Sequence, residues 1–307
     1  MDALQTVFSA KVAIVALSLL AGSVMDVRTR RISDRTWMVL LSACIPLVAW
    51  EMWLKGADGS PVSLLSLLLP VGGMLFVLFG YPELSKAFKG SMTDLSFTLI
   101  YAACLAGPVI SFMLGDRDLI IPIGVSFVFM LVYFALYHIP IGGTRIIHGG
   151  ADAKCLMALA AVFPWYVEDL PFSSGVFYET LYEISSFGYI FPIHLSTLFN
   201  GAVISVLILF LILPITNILR GDFAFPRMFT SFKADVDGIA DRHVWVILEY
   251  RKKKKVDSSE RLERRLKKRG DEKIWVTPKI PFILYLFLGF ILHMILGNIV
   301  AVIFLMF

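Results

Sequence analysis

The sequence predicts an all-α fold, a polytopic bundle of about eight transmembrane helices carrying a basic cytosolic insertion. Three observations predict it. The chain of 307 residues is 58% hydrophobic with a mean hydropathy of +0.78, more apolar surface than a soluble domain of this size can bury. Windows of roughly 18 to 25 residues without internal charge recur along it, and lipid forces such windows into helices because each backbone polar group must be satisfied within its own segment. Finally, 25 of the 28 Lys and Arg residues fall in four segments, 26–35, 81–94, 140–154 and 220–280. Basic loops stay on the cytosolic side. Those four segments are therefore the inner loops, and both termini are expected outside.

Spans are expected at 8–25, 36–54, 62–80, 95–114, 119–139, 153–170, 195–219 and 281–306. The first reads as a retained helix and not as a signal peptide, because its basic cluster follows the apolar run and no small-residue cleavage site stands out. In the sixth, Pro164, Glu168 and Asp169 shorten the apolar part. The outer segment 164–195 has no Lys or Arg but is rich in aromatic residues, among them Phe172, Phe177, Tyr178, Tyr182, Phe187, Tyr189 and Phe191, a composition suited to the lipid interface. The inner segment 220–280 holds 17 basic and 10 acidic residues and is the one region long enough for a small soluble subdomain. Within it a helix is expected over 259–268, with Glu260/Arg264 and Glu263/Lys267 at i,i+4 spacing. The implied organisation is a catalytic bundle over 1–219, the basic insertion over 220–280 and a last helix over 281–307. Anionic lipid headgroups are the expected partner of 251–269. The net charge of +4 needs no nucleic acid to explain it. Cys44, Cys104 and Cys155 lie inside expected helices without metal-type spacing and read as packing residues.

Two acids stand where apolar helices meet basic inner loops: Asp26, at the end of the first run, and Asp152, just ahead of the sixth. Singly, each has a structural explanation. Asp152 has the position of a helix cap, and Asp26 has Arg28, Arg30 and Arg31 beside it as ion-pair partners. Together, two carboxylates at one membrane face fit aspartyl hydrolysis. Carboxyl groups in hydrogen-bond reach cannot both ionise easily, so they share a proton, one activating water while the other polarises a carbonyl. Gly142, Gly143, Gly149 and Gly150 permit turns and close backbone approach ahead of Asp152. Phosphate-loop, dinucleotide and zinc patterns are missing, and hydrolysis by water requires no metal or cofactor. Asp34 and Asp94 are expected to cap the helices that follow them, and His148 to be interfacial. Arg145 and Lys154 hold the loop at headgroups or lower the pKa of the pair.

The segment Asp26-Val27-Arg28-Thr29-Arg30-Arg31-Ile32-Ser33-Asp34 resembles the first catalytic segment of the type IV prepilin peptidases, and Gly149-Gly150-Ala151-Asp152-Ala153-Lys154 resembles their Gly-x-Gly-Asp segment. Within that family the archaeal preflagellin peptidase branch is the more similar, since the Cys-x-x-Cys domain of many bacterial enzymes is missing and 275–282 is also alike. The specific likeness covers about 25 residues. It implies that Asp26 and Asp152 are the catalytic pair, supported by Arg30, Gly149, Gly150, Ala151 and Lys154, and that short basic class III signal peptides are removed from archaellin or pilin precursors at the cytosolic face. Ala151 replaces the family's second glycine and so must adopt an ordinary backbone conformation. Ser33 replaces a frequent proline, and eight spans exceed the six-helix core that the resemblance implies. Two other readings compete: an intramembrane protease of presenilin type, with its aspartates deeper in apolar helices, and a transporter or scaffold in which the acids are caps or ion-pathway groups.

Overall fold

A computed structural model describes residues 3–55, 65, 68–79, 91–113, 120–140, 147, 149–164, 192–248, 254–257, 259–297 and 299. Among these residues the chain is mostly helical, with α1 (Ala3–Thr29), α2 (Asp34–Lys55), α3 (Leu68–Phe79), α4 (Met92–Met113), α5 (Ile120–His138), α6 (Gly150–Val162), α7 (Ile193–Leu219), α8 (Glu260–Arg269) and α9 (Phe282–Leu296). Among the described residues four helices are long and apolar enough to cross a membrane, namely Ala3–Thr29, Asp34–Lys55, Met92–Ser111 and Ile193–Leu219. The apolar helices in α3, α5 and α9 are shorter. The expected count of eight is thus not confirmed among the described residues. Charge-free length in the sequence does not guarantee continuous helix: α6 has only 13 residues, and α9 stops at Gly297, whose left-handed φ of 76° breaks the helix. Asn200 covers that break, donating to the Gly297 carbonyl at 2.9 Å and accepting the Ile299 N–H at 3.1 Å.

Clustering divides the chain into two compact units, 1–201 with 282–307, and 202–281. In the first unit, α1 packs on α2 and α9, while α6 packs on α2, α3 and α5. The buried stripe of α1 runs through Phe8, Val12, Val15, Leu19, Gly22, Ser23 and Asp26, a helical spacing that aims Asp26 inward. Its partner α9 fits closely because Gly22 leaves only 3.3 Å between its absent Cβ and the Ile283 side chain. Helices α7 and α9 meet backbone to backbone, since a Cβ on Gly289 would lie 2.5 Å from the Gly201 nitrogen. At the opposite end of α1 from Asp26, the buried Lys11 pairs with Glu51 of α2 at 2.5 Å and donates to the Val162 carbonyl of α6 at 3.0 Å.

The second unit departs from the all-α expectation. Strands β1 (Phe232–Asp235), β2 (Val244–Leu248), β3 (Lys254–Asp257) and β4 (Lys273–Pro278) form an antiparallel sheet of order β1-β4-β2-β3. Its core collects Val244, Val246 and Val276 with Ile239 and, from α8, Leu262 and Leu266. The helix expected over 259–268 is α8. Ser259 caps it by accepting the Leu262 N–H at 3.3 Å, and Gly270 ends it in a left-handed conformation. Both i,i+4 pairs form, Glu260–Arg264 and Glu263–Lys267, each at 2.8 Å. Lys267 and the N–H groups of Ala240 and Gly238 hold Glu263 down at about 2. Asp237 and then Glu263 push Lys267 up.

Candidate active site

Asp26 is buried near the end of α1. Its Oδ2 accepts the backbone N–H of Ile283 in the first turn of α9 at 3.1 Å, where an N-terminal helix end offers an unsatisfied donor. Ser23, three residues earlier, donates to the Ile283 carbonyl at 3.2 Å. The Arg30 guanidinium stands 3.8 Å from Asp26 Oδ1. Arg30 is the one non-glycine residue with positive φ among the described residues, at 55°, and its N–H closes onto the Asp26 carbonyl at 3.1 Å. A left-handed non-glycine residue costs on the order of 1–3 kcal/mol and persists where its surroundings hold it.

Asp152 is the third residue of α6, in the turn ahead of the apolar run, and Gly149 has the N-cap position instead. The Asp152 N–H donates to the Gly149 carbonyl at 3.1 Å. A Cβ on Gly149 would come within 2.3 Å of Asp152 Oδ2, and one on Gly150 within 3.0 Å of the Tyr137 hydroxyl. The glycines are thus required by close approach and not by turn conformation, as Gly149 has an ordinary φ of −94°. Ala151 sits in right-handed helix, as its side chain demands. Burial first, and then the negative charge of Asp26, push Asp152 up to about 7. That influence is the physical link between the two carboxylates.

Lys154 is engaged in an ion pair between elements. It reaches Asp34 at 2.7 Å, tying the first turn of α6 to the start of α2. Asp34 was expected to cap α2, but Ser33 precedes that helix and accepts the Arg35 N–H at 3.3 Å. Asp34 lies one residue inside, where its charge suits the helix N-terminus. Asp94 likewise lies inside its helix: Ser91 precedes α4, accepts the Asp94 N–H at 3.4 Å and donates its hydroxyl to the Asp94 carboxylate at 2.6 Å. Gly142, Gly143, Arg145 and His148 lie outside the described residues, as does most of the aromatic segment 164–195. Three contributors escaped sequence reasoning: the Ile283 N–H, Tyr137 beside Gly150, and the Asp34–Lys154 pair. Only the last left a trace, as opposite charges flanking the two motifs. Among the described residues no three of His, Cys, Asp and Glu come together as a metal site. The three cysteines are free and buried.

Comparison with known proteins adds two findings. Residues 222–299 match the family described as Archaeal Peptidase A24 C-terminus Type II. The chain is also 24% identical over 298 residues to a preflagellin peptidase of Methanocaldococcus jannaschii, a match spanning 94% of this chain and 95% of that protein.

Proposed function

We propose that this chain, which belongs with the archaeal preflagellin peptidases of the type IV prepilin peptidase family, is a membrane aspartyl endopeptidase that removes the short basic leader from archaellin or type IV pilin-like precursors. The observation that carries the aspartyl reading is the state of Asp152: a half-buried carboxyl, raised to about 7 and responsive to the charge of Asp26. In this reading Asp26 and Asp152 share one proton. Asp152 carries it below about pH 7 and donates to the scissile carbonyl oxygen. Asp26, oriented by Ile283 and Arg30, accepts a proton from the attacking water. The tetrahedral intermediate then collapses as the leaving amine is protonated. Gly149 and Gly150 keep the approach to Asp152 free of side chains, and the Asp34–Lys154 pair holds the two aspartate-bearing segments in register. The site opens to the cytosolic face, as the distribution of basic residues implies.

The experiment is processing of an archaeal preflagellin by the wild type and by Asp26→Asn and Asp152→Asn in vesicles. Loss of at least about 10³-fold in kcat is expected for each, since removal of one member of a catalytic pair disables the unit. Full cleavage by either variant would sink the two-aspartate mechanism. Mapping the cut by mass spectrometry separates this reading from the intramembrane alternative, which requires a cut within the apolar segment.

A further inference from the structure

Helix α3 forms the floor of an apolar groove, and two adjacent glycines explain its walls. A Cβ on Gly72 would meet the Cys104 Cβ of α4 at 2.6 Å, and one on Gly73 would meet the Met130 sulfur of α5 at 3.0 Å. The backbone of α3 is therefore gripped from both sides, while α4 and α5 touch each other little. Between them runs a groove of about 740 Å³, walled by Phe76 of α3, Ala102 and Leu105 of α4, and Leu131 and Phe134 of α5. Among the described residues no carboxylate, Lys or Arg lines it. It ends at Phe76, Phe134 and His138, which also line a pocket of about 360 Å³ reaching Gly150, Ala153 and Lys154. The groove thus leads to the first turn of α6, where Asp152 stands.

We propose that this groove docks the apolar helix of the substrate and delivers the chain ahead of it to Asp152, an inference that rests on the peptidase reading. The walls select the occupant. A helix within the membrane satisfies its own backbone groups and asks only for apolar contact, and Gly72 and Ala102 allow the close backbone approach on which helix pairing in lipid depends. A soluble peptide would leave these walls uncovered. An acyl chain would fit them but has no use for the continuation past His138 toward the Gly149–Asp152 turn.

The test places photoreactive benzoylphenylalanine at Leu131 or, on the facing wall, at Ala102. The full chain carries Asp152→Asn and is mixed with an archaeal preflagellin in phosphatidylglycerol vesicles. Crosslinks from either position to the apolar segment of the precursor, not competed by a peptide of the leader alone, are expected. Crosslinks to acyl chains only, or to the leader only, overturn the proposal. In the active chain, Ala102→Trp is expected to raise KM about tenfold with little change in kcat, and a KM within twofold of wild type counts against the groove. Should the crosslinks form while the wild type cleaves nothing, the groove stands as a helix-binding surface and the peptidase reading falls.

Discussion

At the scale of single residues, the site depends on one missing side chain. Because a Cβ on Gly149 would sit 2.3 Å from Asp152 Oδ2, Gly149→Ala must turn the carboxylate away. The obstructing atom is the end of a side chain that can rotate, so the helix survives the change. A displacement near 1 Å at a reacting group costs about 10²-fold. Gly149→Ala is therefore expected to lose about 10²-fold in kcat with an unchanged thermal midpoint; an equal fall in both would point to a folding defect instead. The pH profile is a second residue-scale consequence. Burial and the Asp26 charge raise Asp152 from 3.8 to about 7, so its proton is held below that pH and lost as pH rises through it. If the protonated form is the donor, kcat/KM falls on the alkaline side of about 7, tenfold per pH unit. A profile flat from pH 6 to 9 would assign the donor role elsewhere.

At the scale of elements, the buried pair Lys11–Glu51, 0% and 2% exposed, joins α1 to α2, while the Lys11 hydrogen bond to Val162 reaches α6. Breaking a buried pair strands a charge and costs about 3–5 kcal/mol, whereas replacing both partners with apolar groups is often neutral or better. Lys11→Met is thus expected to lower the thermal midpoint sharply, and Lys11→Met with Glu51→Leu to recover most of the loss. A double variant as unstable as the single would show that the Val162 bond outweighs the pair. This pair marks a limit of reading the sequence. Asp26 and Arg30 stand four residues apart on one helix and are legible together, as are Asp152 and its glycines. Lys11 and Glu51 are forty residues apart, and one lysine near a helix end has an ordinary interfacial reading. The apolar helices were visible as runs, but their ends were not, because Gly297 breaks α9 inside a stretch whose composition never changes. The sheet was hidden for another reason. Its strands have four to six residues, sit among dense charges, and pair β1 with β4 across some forty residues, so neither length nor local periodicity announced them.

At the scale of the whole molecule, 202–281 is a folded unit joined by chain to apolar segments on both sides, and its surface has two characters. One is cationic: α8 alone carries Arg261, Arg264, Arg265, Lys267, Lys268 and Arg269, of which Arg264, Lys267 and Arg269 are engaged with acids. The other is aromatic, with Phe223 71% and Phe225 84% exposed and Phe225 stacked edgewise on Phe229 at 6.0 Å. Aromatic rings and basic side chains are the two groups that settle at a membrane surface, each basic residue near an anionic leaflet contributing about 1 kcal/mol. We propose that this unit binds anionic headgroups while the bundle carries the chemistry. Neutralising Arg261, Arg265 and Lys268 with Gln leaves the ion pairs made by Arg264, Lys267 and Arg269 and the two core leucines of α8 in place. Because the bundle anchors the chain in any bilayer, the measurement is a local one: quenching of a fluorophore at position 268 by bromolipids, with Arg261→Gln and Arg265→Gln added to the same chain. Closer approach in phosphatidylglycerol than in phosphatidylcholine vesicles is expected. That difference should fade as salt rises from 50 mM to 500 mM, because screening shortens the reach of surface charge, and it should shrink in the variant. Equal approach to both lipids at low salt would show that the basic surface serves something other than the membrane.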